Sequence, residues 1–172
     1  HPEWTVSSDV LYAKVSVRKE GNEYKTKVSY YSDENCTTAV ETPVITNTYT
    51  APTEGSAELE IQKAATENWT GKIPNYFQFK LEALTEGAPM PGTTAVTNNG
   101  SDVSFGKITG YKEVKDYIYK ISEKGIIGEH PEWSLSTEAL YAKVSVSKER
   151  NEYKTAVSYY SDENCTADDE SW

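Results

Sequence analysis

Residues 11–31 read LYAKVSVRKEGNEYKTKVSYY. Leu11, Ala13, Val15 and Val17 alternate with Tyr12, Lys14, Ser16 and Arg18. A period of two is that of a strand with one apolar face. Residues 20–23, Glu-Gly-Asn-Glu, form a turn, and residues 24–31 return as the second arm of a hairpin.

The same stretch comes back almost unchanged at 140–160, LYAKVSVSKERNEYKTAVSYY. The duplication is wider than the hairpin. Residues 1–37, from His-Pro-Glu-Trp to Asn-Cys-Thr, recur at 130–166 with 29 of 37 positions identical, at an offset of 129. A near-duplicate at that spacing means tandem modules of about 129 residues. The chain then holds one full period, residues 1–129, and roughly a third of the next. Residues 38–49, TAVETPVITNTY, have no counterpart after the second copy, which ends in ADDESW. The first residue is His1 rather than Met, which suggests a mature or excised piece.

Composition agrees with strands. In 172 residues there are 13 Tyr and one Met, with hydrophobic residues at 37%. Thr, Val, Tyr and Ser suit a half-buried pleated surface better than a helical bundle. The length accommodates one domain, or one domain and a fragment. The net charge is −10, from 17 basic and 27 acidic residues. An acidic chain cannot neutralise phosphates, which argues against nucleic acid and against an anionic membrane surface as partner. No apolar run approaches the roughly 20 residues of a membrane span.

Beyond the hairpin, strands are expected at 44–49, 57–63, 76–84 and 116–123. A further hairpin is expected between 93–97 and 103–105 across Asn98-Asn99-Gly100-Ser101. Residues 50–56, with Pro52 and Gly55, read as a linker. No segment reads as a helix of core length. Many short strands at this spacing favour a β-sandwich. Parity then exposes an oddity. Leu59 and Ile61 share a strand face with Lys63; Tyr117, Tyr119 and Ile121 share one with Glu123; Ile45 and Tyr49 share one with Asn47. Strand ends open to water would explain any one of these. Together they suggest an interior Lys and Glu that meet, because a buried charge is costly unless paired.

The run ELEIQKAATENWTGKIPNYFQFKLEAL, followed by NNGSDVSFGKI, DYIYKISEKG, the Tyr/Val-rich hairpin and PVITNTY, resembles the streptococcal pilin isopeptide-linkage domain. This is the FctA-type backbone and minor pilin family of Gram-positive bacteria. The motif order carries the likeness: Lys63, Phe77 and Phe79, then Asn98 to Phe105, Tyr117 to Glu123, and Thr46-Asn47-Thr48-Tyr49. Ile45 stands where the family usually has Phe. The resemblance implies an all-β, Ig-like (CnaB-type, inverse-Ig) antiparallel β-sandwich. It also implies a self-formed isopeptide bond, with Lys63 as nucleophile, Asn47 as electrophile and Glu123 as proton shuttle. Such a bond is a single-turnover modification, so the chain would not be a turnover enzyme and would need no cofactor. An apolar pocket favours the neutral forms of an amine and a carboxylic acid, which suits this chemistry.

The tandem repeat is out of phase with the family domain, because Asn47 precedes Lys63. The expected organisation is therefore residues 1–50 as the C-terminal part of one sandwich repeat, residues 51–56 as a linker, and residues 57–172 as the next repeat lacking its last strand. Either neighbouring repeats complete both ends, or Asn47 of one chain completes Lys63 of another by strand donation. A bond from Asn47 to Lys63 in the same chain is disfavoured, since the 15 intervening residues would have to return along the domain. A sheet missing a strand has an open edge and should recruit one, which favours fibres. The function expected is a structural stalk repeat of a pilus or adhesin, in a cell-wall or surface fibre outside the cell. Its partners would be copies of the same protein. The alternatives are an Ig-like module binding carbohydrate or a host protein, with Trp4 and Trp133 as an aromatic platform, and a secreted hydrolase accessory domain.

Other signals are weaker. Cys36 and Cys165 sit in identical strings, so they are one cysteine seen twice, expected as free or intermolecular thiols. Sequons at Asn35, Asn68, Asn99 and Asn164 read as chance in a bacterial protein. His1 and Glu3 offer a metal site only on paper, a packed turn being the simpler reading. No Gly-rich phosphate loop, Ser nucleophile elbow or Cys/His cluster is present.

Overall fold

In the computed structural model, which describes residues 1–66 and 69–166, every regular element among the described residues is a strand. The chain divides into two units, His1–Ala51 and Pro52–Trp172. The all-β reading of the sequence is what the structure shows.

The first unit contains β1 (Trp4–Thr5), β2 (Tyr12–Glu20), β3 (Glu23–Tyr31), β4 (Ala39–Val40) and β5 (Thr48–Tyr49). β2 and β3 form the expected hairpin, paired from Tyr12↔Tyr31 to Glu20↔Glu23. β4 extends that sheet beside β3, and β1 pairs with β5 through Trp4↔Tyr49 and Thr5↔Thr48. No residue of this unit is buried. The strand expected over 44–49 shrinks to β5. Residues 44–47 have no partner to ladder with, and an isolated strand leaves its backbone groups to water.

The second unit contains β6 (Gly55–Gln62), β7 (Phe77–Ala83), β8 (Ala95–Thr97), β9 (Asp102–Tyr111), β10 (Asp116–Ile126), β11 (Ala139–Glu149) and β12 (Glu152–Tyr160). A five-stranded sheet runs β12-β11-β10-β7-β8, and a two-stranded sheet pairs β6 with β9. Leu59, Phe77, Ile108, Tyr111, Tyr119, Ala142 and Val144 have no exposed surface and form the core between them. The burial of β6 alternates strictly, with Ala57, Leu59 and Ile61 buried and Glu58, Glu60 and Gln62 exposed. That is the signature of one face on a core and one in water. Gly55 and Ser56, read from sequence as linker, already belong to β6. Thr53 donates its N–H to the Asn151 carbonyl, and its own carbonyl accepts the Tyr153 N–H.

The hairpin expected between 93–97 and 103–105 does not form. β8 pairs with β7, β9 pairs with β6, and residues 98–101 carry the chain between the sheets. The corner is held by Asn98, which is 3% exposed. Its Oδ1 accepts the Phe77 N–H at 3.0 Å, and its Nδ2 donates to the Pro74 and Gly100 carbonyls at 2.7 and 2.6 Å. A buried amide that satisfies three backbone groups pins the corner.

Candidate functional site

Lys63 follows directly on β6, and its backbone N–H donates to the Ser101 carbonyl at 2.6 Å. Strand parity continues past Ile61 and turns the Lys63 side chain inward, where it is 13% exposed. Glu123 continues the buried face of Tyr117, Tyr119 and Ile121 along β10, and is 4% exposed. Here the register of β10 against β7 shifts between Glu123 and Gly125. A bulge re-aims the side chain beside it.

Lys63 Nζ lies 2.6 Å from Glu123 Oε1. The second carboxylate oxygen, Oε2, accepts the Ser136 backbone N–H at 2.7 Å. The amine also stands 4.7 Å from the centre of the Phe77 ring. One oxygen of Glu123 is thus pinned by the main chain while the other faces the amine, which lies over the Phe77 ring. Two residues in this arrangement, Ser136 and Phe77, carried no role in the sequence reading. Ser136 acts through its backbone, which any residue supplies. Phe77 stood in that reading as part of a strand and of the Phe77/Phe79 motif, without a place beside the amine.

Lys63, Glu123 and Ser136 line a groove of about 600 Å³, together with Ile61, Phe79 and Leu140. The groove lies at the end of β6, where Ile61 to Ala64 face Phe79, Glu123 and the start of β11. Earlier along β6 the Thr155 hydroxyl donates to the Ser56 carbonyl at 2.6 Å, and the Glu60 N–H donates to the Tyr159 hydroxyl at 2.9 Å. Side chains of β12 therefore hold two backbone groups of β6 that lie outside the groove.

Asn47 belongs to the first unit and is exposed. Its Oδ1 accepts the Ser7 N–H at 3.0 Å. Ile45 and Tyr49, on the same parity, are 56% and 54% exposed, so in this unit that face packs on no core.

The expected aromatic platform is divided. Trp4 packs on Tyr49 in the first unit, with ring centres 5.1 Å apart. Trp133, in the second, is half-buried against Phe77 and Trp69, at 5.2 and 4.8 Å. His1 Nδ1 stands 3.5 Å from Glu3 Oε1, and no group of three or more His, Cys, Asp or Glu among the described residues could hold a metal ion. Cys36 and Cys165 are free thiols. The sequon at Asn68 lies outside the described residues. Among the described residues no helix is long and apolar enough to cross a membrane.

A family model described as FctA, Spy0128-like isopeptide containing domain, matches residues 59–169. No curated protein and no solved structure matches the chain.

Proposed function

The chain belongs to the FctA family of Spy0128-like isopeptide containing domains, a pilin isopeptide-linkage family, and from that premise we propose that it is a stalk repeat of a surface pilus or adhesin whose second unit crosslinks to an Asn strand from a neighbouring copy. The observation that carries this reading is the Lys63 amine 2.6 Å from Glu123 at the wall of an open groove.

In the reaction, Lys63 Nζ attacks the Cγ of an Asn carboxamide seated in the groove. The Nζ–Cγ bond forms and the Cγ–Nδ2 bond breaks. Glu123 takes a proton from the attacking amine and delivers it to the departing nitrogen, which leaves as ammonia. Glu123 ends as it began, and the balance is one amide exchanged for another. The donated strand is the equivalent of Thr46-Asn47-Thr48-Tyr49. Folding supplies the proximity of the amine and the carboxyl. The event happens once per site, so the chain is a structural protein and not a turnover enzyme. A covalent tie between strands resists a pulling force along a cell-surface fibre, and copies joined this way form the fibre.

The test uses a synthetic peptide of residues 44–51, VITNTYTA, incubated with the chain. The expected product is one adduct at Lys63, one ammonia lighter than the sum of its parts under denaturing conditions. Lys63→Arg and a peptide with Asn47→Ala should each give none. An adduct that survives Lys63→Arg, or no adduct at any peptide concentration, overturns the proposal.

A further inference from the structure

The two copies of the hairpin have nearly the same sequence and opposite surroundings. In the second unit Ala142 and Val144 are fully buried and Val146 is 5% exposed. Their counterparts Ala13, Val15 and Val17 are exposed, the two valines by 58% and 59%. In the second unit β11 pairs with β10 over residues 139–145, from Asp116↔Ser145 to Ser122↔Ala139. In the first unit β2 has β3 as its one neighbour, and its outer edge is open. The His-Pro-Glu-Trp repeats differ in the same way. His130 stacks on Tyr76 at 3.9 Å and Trp133 packs on Phe77, whereas the His1 side chain is 89% exposed and Trp4 is 52% exposed.

An apolar strand face beside an open edge is unstable in water and invites pairing. The chain itself displays what covers this face. We infer that β2 and β3 form a docking surface for another copy of the 52–129 segment, which supplies strands equivalent to β6 through β10. The occupant is thus a second copy of the repeat. The register follows from the 129-residue offset, with Tyr117 of the incoming copy opposite Val15, Tyr119 opposite Ala13 and Ile121 opposite Leu11. Two hydroxyls suit the same occupant. Thr26 and Tyr30 repeat Thr155 and Tyr159, whose hydroxyls bond Ser56 and Glu60 of β6, so they stand ready for the β6 of the incoming copy. Charge agrees as well. Lys14 would lie opposite Ile118 and beside Asp116 of the partner, as Lys143 does, whose amine is held above its usual range by Tyr160 and, more weakly, by Asp116. The inference rests on the repeat and on burial, independently of the isopeptide chemistry.

The experiment is a longer chain in which residues 52–129 are repeated ahead of His1, compared with the original chain by amide hydrogen exchange and intact mass. Exchange along Tyr12–Glu20 should slow on the order of a hundred-fold in the longer chain. Val15→Asp should remove that protection there while leaving the original chain folded, since Val15 is exposed in it. Unchanged exchange on β2 overturns the inference, as does protection that survives Val15→Asp. Mass separates the chemistry. Protection with no loss of ammonia supports the docking surface and counts against the Lys–Asn bond. Protection with one ammonia lost supports both.

Discussion

Lys63 Nζ and Glu123 Oε1 meet at 2.6 Å although they stand on different sheets, with side-chain exposures of 13% and 4%. Neither charge has much access to water, so each depends on the other. Removing one partner leaves an uncompensated buried charge, which costs roughly 3–5 kcal/mol. Lys63→Met should therefore destabilise the second unit by about 3 kcal/mol. Adding Glu123→Met should restore most of the loss, because an apolar pair fills the same space without desolvated charge. Urea unfolding of the two singles and the double gives the coupling. Additive losses would show that the pair does not act as a unit.

Val144 and Val15 test whether burial is truly unequal between the copies. Val144→Ala removes two methyl groups' worth of packing from a site with no exposed surface and should cost about 2 kcal/mol. Val15→Ala acts on a residue 58% exposed and should cost under about 1 kcal/mol. Urea titrations followed by amide signals of each unit distinguish the two. Equal costs would contradict the exposed hairpin face.

The hairpin turns offer a direct repair. Gly21 has φ +64° and its counterpart Arg150 has φ +54°, while the next residue of each loop is not left-handed. That is the pattern of a type II′ turn, which wants Gly at its first central position. A Cβ at Gly21 would meet nothing within 4 Å, so the penalty there is purely one of backbone conformation. Arg150→Gly should stabilise the second unit by about 1 kcal/mol, and Gly21→Ala should weaken the first hairpin by a similar amount. Thermal melting that moves the other way in either variant would refute the turn assignment.

Alkaline pH should loosen the core. The Tyr111 and Tyr119 hydroxyls share a hydrogen bond of 2.9 Å in a site with no exposed surface. Burial raises both phenols above the ordinary value of 10.0, and the bond to Tyr111 raises Tyr119 further. Below pH 10 folded and unfolded chains both keep these protons, and the stability they allow is fully present. As pH rises past 10 the unfolded chain releases them first, so stability is lost at about 1.4 kcal/mol per pH unit for each phenol. Tyr119→Phe should flatten that slope. A slope unchanged by the substitution would assign the alkaline loss to other groups.

Much of this was legible in the residues themselves. Alternation located the hairpin, β6 and β10 within one to three residues, because a strand with one wet face writes its period into polarity. Parity also turned Lys63 and Glu123 inward, since it carries past the last ladder residue. Two expectations failed where pairing was at stake. Residues 93–105 look like a hairpin on local grounds, yet the Asn98 amide bonds Phe77, Pro74 and Gly100 and sends β8 and β9 to different sheets. Residues 44–49 have strand composition, yet without a neighbour only Thr48 and Tyr49 ladder.

What the sequence determined by itself was the local grammar: strands, turns, the 129-residue repeat and the inward face of each strand. Tertiary structure alone decided which inward faces are covered. Val15 and Val144 sit in nearly identical strings, one 58% exposed and one fully buried, because burial depends on the segment packed opposite. Polarity along a strand is set by its own side chains, whereas the removal of that strand from water requires a second surface that its own residues do not contain.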